Sequence, residues 1–303
     1  MQRKKNHDSA LKQQDRRMGR FINPFTDVGF KRIFGQEVSK PILIEFLNSL
    51  LTGERRIVNV KYLDKEQLGL SELERSLIYD IYCETETGKH IIVEMQNKYQ
   101  YSFKNRSIYY VARSIVEQGQ RGREWNYDVK AVYLVAFLNF KQNEISEKFR
   151  TDVALVDLEE RTQFSDKVRL IYLQLPYFNK EADDCETTFD RMIFVLKNMD
   201  ILERMPWAAQ DSVFQKLASI AEVAALDKQE RFRYDENVRA YRDNSVIMQT
   251  QFMEGEKLGM QKGMQKGQQE AQQAIALKLK QMGLSSADIA KATGLPLNEI
   301  EKT

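Results

Sequence analysis

The segment LIYDIYCETETGKHIIVEMQ, residues 77–96, restricts the fold more than any other stretch of the chain. Two runs rich in β-branched and aromatic residues flank ETETGKH, which predicts two antiparallel strands joined by a tight turn. A three-residue loop of Glu86, Thr87 and Gly88 puts glycine where a left-handed residue is needed, giving a hairpin with a glycine bulge. The loop fixes the register: Glu84 faces His90, Tyr82 faces Ile92, Asp80 faces Glu94 and Ile78 faces Gln96. Directly opposed residues share a face, with Cβ atoms roughly 4.5–5.5 Å apart. Asp80 and Glu94 therefore sit side by side within apolar runs, where two carboxylates repel and lose hydration. A divalent cation between them resolves that conflict, and so does a shared proton. A register shifted by one residue would instead separate the acids and let each reach solvent or a basic partner.

The flanking sequence supplies an α/β frame. Asp27 is placed to cap a short helix through Phe30 and Phe34, and Ser39 to cap KPILIEFLNSLL. In the second helix Leu43, Phe46, Leu47 and Leu50 face inward, with Glu45 near the edge of that stripe. Strand-like runs follow at 56–63, 77–84 and 90–97, and residues 102–118 return to helical spacing with Ile108, Val111, Ala112 and Ile115 as the buried side. Residues 129–139, VKAVYLVAFLN, are almost continuously apolar, the pattern of a strand covered on both faces. Further strands are expected at 151–158 and 168–175, so the architecture is a mixed sheet flanked by helices. The expected organisation is a disordered basic arm over 1–20, a core over 21–180, a helical subdomain over 181–250 and a tail over 251–303.

In the tail, Gly255, Gly259, Gly263 and Gly267 recur every fourth residue. Each interior glycine costs a helix roughly 1 kcal/mol relative to alanine, so a flexible linker is the first reading. A helix that associates with its own copy into a homo-oligomer is the alternative. Beyond it, Ser285 or Ser286 can cap a short helix, Gly294 can end it and Pro296 can open another, a helix-turn-helix-like arrangement. Its last helix holds Asn298, Glu299 and Glu301 with one basic residue, Lys302, which suits a packing or partner module better than a reader of DNA bases.

Composition narrows the chemistry. The chain has 303 residues, two cysteines (Cys83, Cys185) and two histidines (His7, His90), which argues against a disulfide framework or a zinc cluster. Any metal must be held by oxygen, which points to Mg²⁺ or Mn²⁺. No run approaches the ~18 apolar residues of a membrane helix, and the first residues lack a secretory h-region, so the expectation is a cytoplasmic protein with no membrane attachment. Net charge is +2, but Arg3, Lys4, Lys5, Lys12, Arg16, Arg17 and Arg20 crowd the first twenty residues against Asp8 and Asp15, as a solubilising or a phosphate-contacting arm. Neither GxxxxGK[ST] nor GxSxG occurs, which leaves a P-loop ATPase and a serine hydrolase without their machinery.

Asp80, followed by Glu94-Met95-Gln96 on the next strand, resembles the PD-(D/E)XK nuclease signature. The opening NPFTDVGFKRIFG, the strand IIVEMQ, the long helix after it and the glycine-periodic tail resemble the recombination-promoting nuclease (Rpn) and transposase branch of that superfamily, from about residue 21 to 303. The resemblance implies a restriction-endonuclease-like α/β core of order αβββαβ with a C-terminal helical region, and a metal-dependent DNA endonuclease linked to recombination or mobile elements. It implies that Asp80 and Glu94 bind Mg²⁺ (or Mn²⁺), that Met95 packs on the opposite side, and that Gln96 stands where most of the superfamily has lysine. Glutamine can orient the attacking water but brings no charge. Lys98, two residues on, is the candidate to supply it, with Lys31 second. Glu45 is the candidate third metal ligand and Asp27 its alternative. Arg106, Tyr110 and Arg113, at i, i+4 and i+7, would form a face for the DNA backbone, or an ordinary solvated face. Competing readings are a degenerate nuclease fold that binds DNA or a partner, and a nuclease active only within a larger complex.

Overall fold

The computed structural model describes residues 19–64, 66–67, 77–120 and 125–302. The basic arm expected over 1–20 lies outside the described residues except for Gly19 and Arg20, and Arg20 is hydrogen-bonded to Glu222.

Thr26, rather than Asp27, caps α1 (Asp27–Phe34), its hydroxyl accepting from the Gly29 N–H at 3.0 Å. Asp27 becomes the first helical residue and pairs with Lys31 one turn on. In α2 (Lys40–Leu50) the residues Leu43, Phe46, Leu47 and Leu50 are buried as their spacing requires. Then come β1 (Val60–Tyr62), β2 (Glu66–Gln67), β3 (Leu77–Ile78), β4 (Ile81–Thr85) and β5 (His90–Gln96). The helix α3 (Phe103–Val116) precedes β6 (Val132–Leu138), β7 (Arg150–Val156) and β8 (Gln163–Gln174). Five helices complete the chain: α4 (Thr188–Asn198), α5 (Ser212–Ala221), α6 (Lys228–Gln281), α7 (Ser286–Thr293) and α8 (Leu297–Lys302).

Six strands form one sheet in the order β1-β4-β5-β6-β8-β7. The pairs β5/β6 and β6/β8 are parallel and the others antiparallel. All seven residues of β6 are buried, which is why its sequence carries no alternation. On one side of the sheet Ile81, Ile91, Val93, Val135 and Phe137 share a core with Phe30, Phe46, Ile193 and Leu217. On the other, Tyr82, Ile92, Leu134 and Ala136 pack with Phe103, Tyr110 and Val111 of α3.

Two expectations are corrected here. The inner face of α3 is Phe103, Ser107, Tyr110, Val111 and Ser114, whereas Ala112 is exposed and Ile108 is 52 % exposed. Counting apolar residues misplaces that face because hydroxyl groups line it: Ser107 bonds the Tyr172 hydroxyl at 2.5 Å and Ser114 the Tyr82 hydroxyl at 2.8 Å. The glycine-periodic stretch is part of the continuous helix α6, not a linker, and nothing beyond the helix's own backbone lies within 4 Å of where a Cβ would stand on its four glycines.

The chain divides into two compact units between Arg242 and Asp243. Residues of the expected helical subdomain, including Met192, Phe214, Tyr234 and Val238, belong to the main core of the first unit. The second has its own small core of Ala276, Ile289, Leu295 and Ile300. There Ser285 caps α7 and Gly294, at φ +74°, ends it.

Candidate metal centre

The β4–β5 hairpin closes as its loop demands. Glu84 pairs with His90 and Tyr82 with Ile92, and Gly88 adopts φ +81° while its N–H donates to the Thr85 carbonyl at 2.9 Å. Beyond Ile81 the ladder stops. Ile78 pairs with Glu66 of β2 instead of Gln96, a correction to the continuous strand expected over 77–84. The interruption has a cause in Tyr79. Its ring is fully buried against Tyr82 and Tyr110, at 5.1 and 5.2 Å between centroids, and its hydroxyl donates to the Tyr110 carbonyl at 3.3 Å.

Side chains replace the missing ladder bonds. The Asp80 N–H donates to Glu94 Oε1 at 3.2 Å, and the Met95 N–H donates to Asp80 Oδ2 at 2.8 Å. Each acid is thus gripped by backbone belonging to, or adjoining, the other. Each keeps a second oxygen. Asp80 Oδ1 has no hydrogen-bond partner among the described residues, and Glu94 Oε2 accepts only from Gln96 Nε2, at 3.3 Å. Met95 packs on the opposite side of the sheet, against the main core.

Glu94 is 2 % exposed. Burial, then the neighbouring Asp80 charge, pushes its carboxyl up to about 8. Burial also raises Asp80, opposed by the Met95 N–H and by the charge of Lys31. The two acids therefore do not both ionise comfortably near neutrality, and a cation relieves the repulsion. Their remaining oxygens are hard donors that fit Mg²⁺ or Mn²⁺. Among the described residues no group of three or more His, Cys, Asp or Glu side chains is clustered for a metal. An ion here would have two protein carboxylates and take its other ligands from water or substrate, a coordination habit of Mg²⁺.

Other expected site residues stand elsewhere. Glu45 pairs with Arg56 at 3.5 Å, while Asp27, its alternative, is the acid whose charge bears on Asp80. Lys98 is exposed and lies past the end of β5, where strand alternation no longer governs it. Lys31 and Arg106 are the cations whose charges act on Asp80. Of the expected DNA face, two members are buried. Tyr110 is 7 % exposed, and Arg113 is 8 % exposed and hydrogen-bonded to Glu117 at 3.0 Å. Tyr110 and Arg113 lie on the buried side of the helix with Phe103 and Ser107, whereas Arg106 is half-buried at its edge.

Sequence reasoning named Lys31 but missed the rest of the wall beside Asp80. An open cavity of about 470 Å³ is lined there by Lys31, Gln36, Tyr62, Asp64, Asp80 and Tyr82. It also missed Tyr79, whose position reads as one more apolar strand residue. No periodic signal marks groups from α1 and β1 that meet only in the folded chain.

Among the described residues no helix is long and apolar enough to cross a membrane. No curated protein and no solved structure matches the chain significantly. The family model of the PD-(D/E)XK nuclease family transposases does match, over residues 24–251. With that match over most of its length, and with a mixed sheet that brings an acid at the head of β4 against the D/E position of β5, the chain belongs to the PD-(D/E)XK nuclease family transposases.

Proposed function

We propose that this protein is a Mg²⁺- or Mn²⁺-dependent DNA endonuclease that serves recombination or the movement of mobile elements. The observation that carries the proposal is the reciprocal grip on Asp80 and Glu94, which fixes two carboxylates in a buried site and leaves an oxygen of each for a ligand. A divalent ion bound there supplies a Lewis acid to the scissile phosphate and lowers the pKa of a bound water. Asp80 and Glu94 would hold the ion through the carboxylate oxygens left for a ligand. Gln96 donates its Nε2 hydrogen to Glu94, which leaves its carbonyl oxygen to accept from the attacking water and orient it. Two buried cysteine thiols, Cys83 and Cys185, suit the reducing cytoplasm as the place of work.

One observation favours the rival reading of a degenerate fold that only binds DNA or a partner: Gln96 brings no positive charge where a lysine would. Supercoiled plasmid separates the two. The wild type is expected to nick it with Mg²⁺ or Mn²⁺, and both EDTA and Asp80→Ala are expected to stop the reaction. No cleavage with either metal would put the binding reading ahead. Cleavage by Asp80→Ala would refute the assigned centre.

Self-association through the C-terminal region is part of the same proposal. The open stripe of Gly255, Gly259, Gly263 and Gly267 on α6 would let a second helix approach closely. An antiparallel partner centred at Gln261 would set Gly255 against Gly267, Gly259 against Gly263 and Glu256 against Lys266. Sedimentation analysis is expected to show a dimer or higher oligomer that Gly259→Leu with Gly263→Leu dissociates. A wild type that sediments as a monomer would remove this part of the proposal.

A further inference from the structure

Arg106 sits one turn into α3, and its guanidinium carbon lies 5.0 Å from the Phe103 ring centre and 5.6 Å from that of Tyr110. Nη1 donates to Gln100 Oε1 at 2.6 Å. Nε is buried and has no partner, and Nη2 has none among the described residues. A buried donor left unmatched is unfavourable until a ligand's acceptor meets it. Lys31 pairs with Asp27, and Arg113 with Glu117. Arg106 makes no ion pair among the described residues, and Tyr110, beside its guanidinium, packs its ring 5.2 Å from that of Tyr79, the residue next to Asp80. A guanidinium held by two rings and an amide, close to an acid pair and with donors unspent, is prepared for an oxyanion that the protein itself does not provide. Its planar array of N–H groups matches the non-bridging oxygens of a phosphodiester.

The geometry points to Arg106 as a catalytic residue that contacts the scissile phosphate and supplies the positive charge that Gln96 cannot. This inference rests on the nuclease reading and extends it. In hydrolysis the water oxygen forms a bond to phosphorus and one bridging P–O bond breaks. The electron pair of that bond leaves on the sugar oxygen, which takes a proton from solvent, and the attacking water gives up a proton to solvent. Arg106 gives up and takes no proton in the step; its N–H groups shorten their bonds to the phosphate oxygens as negative charge gathers there.

The test pairs single-turnover cleavage with two binding measurements on the full chain. These are Mn²⁺ titration, and binding of a short DNA duplex in Ca²⁺ across a salt series. Arg106→Gln is expected to bind Mn²⁺ like the wild type and to cleave about a hundred-fold more slowly at saturating DNA. Its salt slope should fall by about one. Arg106→Lys should recover at least part of the rate, which a purely structural role would not predict. Arg106→Gln cleaving at the wild-type rate, or lysine doing no better than glutamine, would overturn the assignment. If the wild type cuts nothing, the nuclease reading fails by itself and the salt series still decides on Arg106: an unchanged slope rejects the phosphate contact.

Discussion

Glu94→Gln is expected to lower plasmid cleavage by about a thousand-fold or more and, in EDTA, to raise the melting temperature above that of the wild type in alkaline buffer. The first effect follows from removing one of two carboxylates that would hold the ion, since losing ~4 kcal/mol of transition-state stabilisation costs about three powers of ten in rate. The second follows from burial. Glu94 titrates near 8 in the folded chain, well above its ordinary value of 4.5. A carboxyl raised in this way contributes stability that is complete below its unfolded pKa and is lost as pH rises through the folded one. The metal-free wild type should therefore weaken between about pH 4.5 and 8 in a way that the neutral amide escapes. The amide oxygen can still accept from the Asp80 N–H, so the substitution leaves that bond in place. Melting curves across pH, with EDTA and with Mg²⁺, check the sign. Mg²⁺ should raise the melting temperature of the wild type and not that of the variant. A variant less stable than wild type at every pH in EDTA would show that Glu94 is there for the fold.

The second large effect belongs to the core. Phe137 on β6 is 1 % exposed, and its ring lies 5.8, 5.9 and 5.2 Å from those of Phe30, Phe34 and Phe46. It ties α1 and α2 to the centre of the sheet, next to Met95 on β5 and Leu173 on β8. Phe137→Ala should destabilise the protein by about 3–5 kcal/mol in urea unfolding, because the surrounding rings cannot close the space left behind. Ile108→Ala, on the exposed side of α3, should change stability by less than about 0.5 kcal/mol. Equal losses in the two variants would mean that the aromatic cluster is not where the stability resides.

The contrast between Phe137 and Ile108 also marks what the sequence could reveal. The hairpin register was legible because a three-residue loop ending in glycine leaves one way to close it, and β6 because a strand buried on both faces has no polar positions. The face of α3 was not legible. Ser107, Ser114 and Arg113 count as polar in any pattern, yet all are buried, the serines paired with tyrosine hydroxyls and Arg113 with Glu117. The acids Asp80 and Glu94 could be paired from the hairpin alone. Asp27, Lys31 and the cavity beside Asp80 could not, since their proximity to the acids depends on how α1 and β1 pack. Lys98 follows the end of β5, so two-residue alternation does not fix where it points.

The mutual grip of Asp80 and Glu94 has a consequence for how this centre can decay. Because Glu94 anchors the backbone of Asp80, and Asp80 anchors the backbone after Glu94, the first substitution that removes the acceptor oxygens at either position also loosens its neighbour. The second then has little left to lose, so the costs of the two do not add. Lineages that abandon it should tend to shed both acids together, and an intact pair in a sequence is a stronger sign of a working site than two independent residues would be.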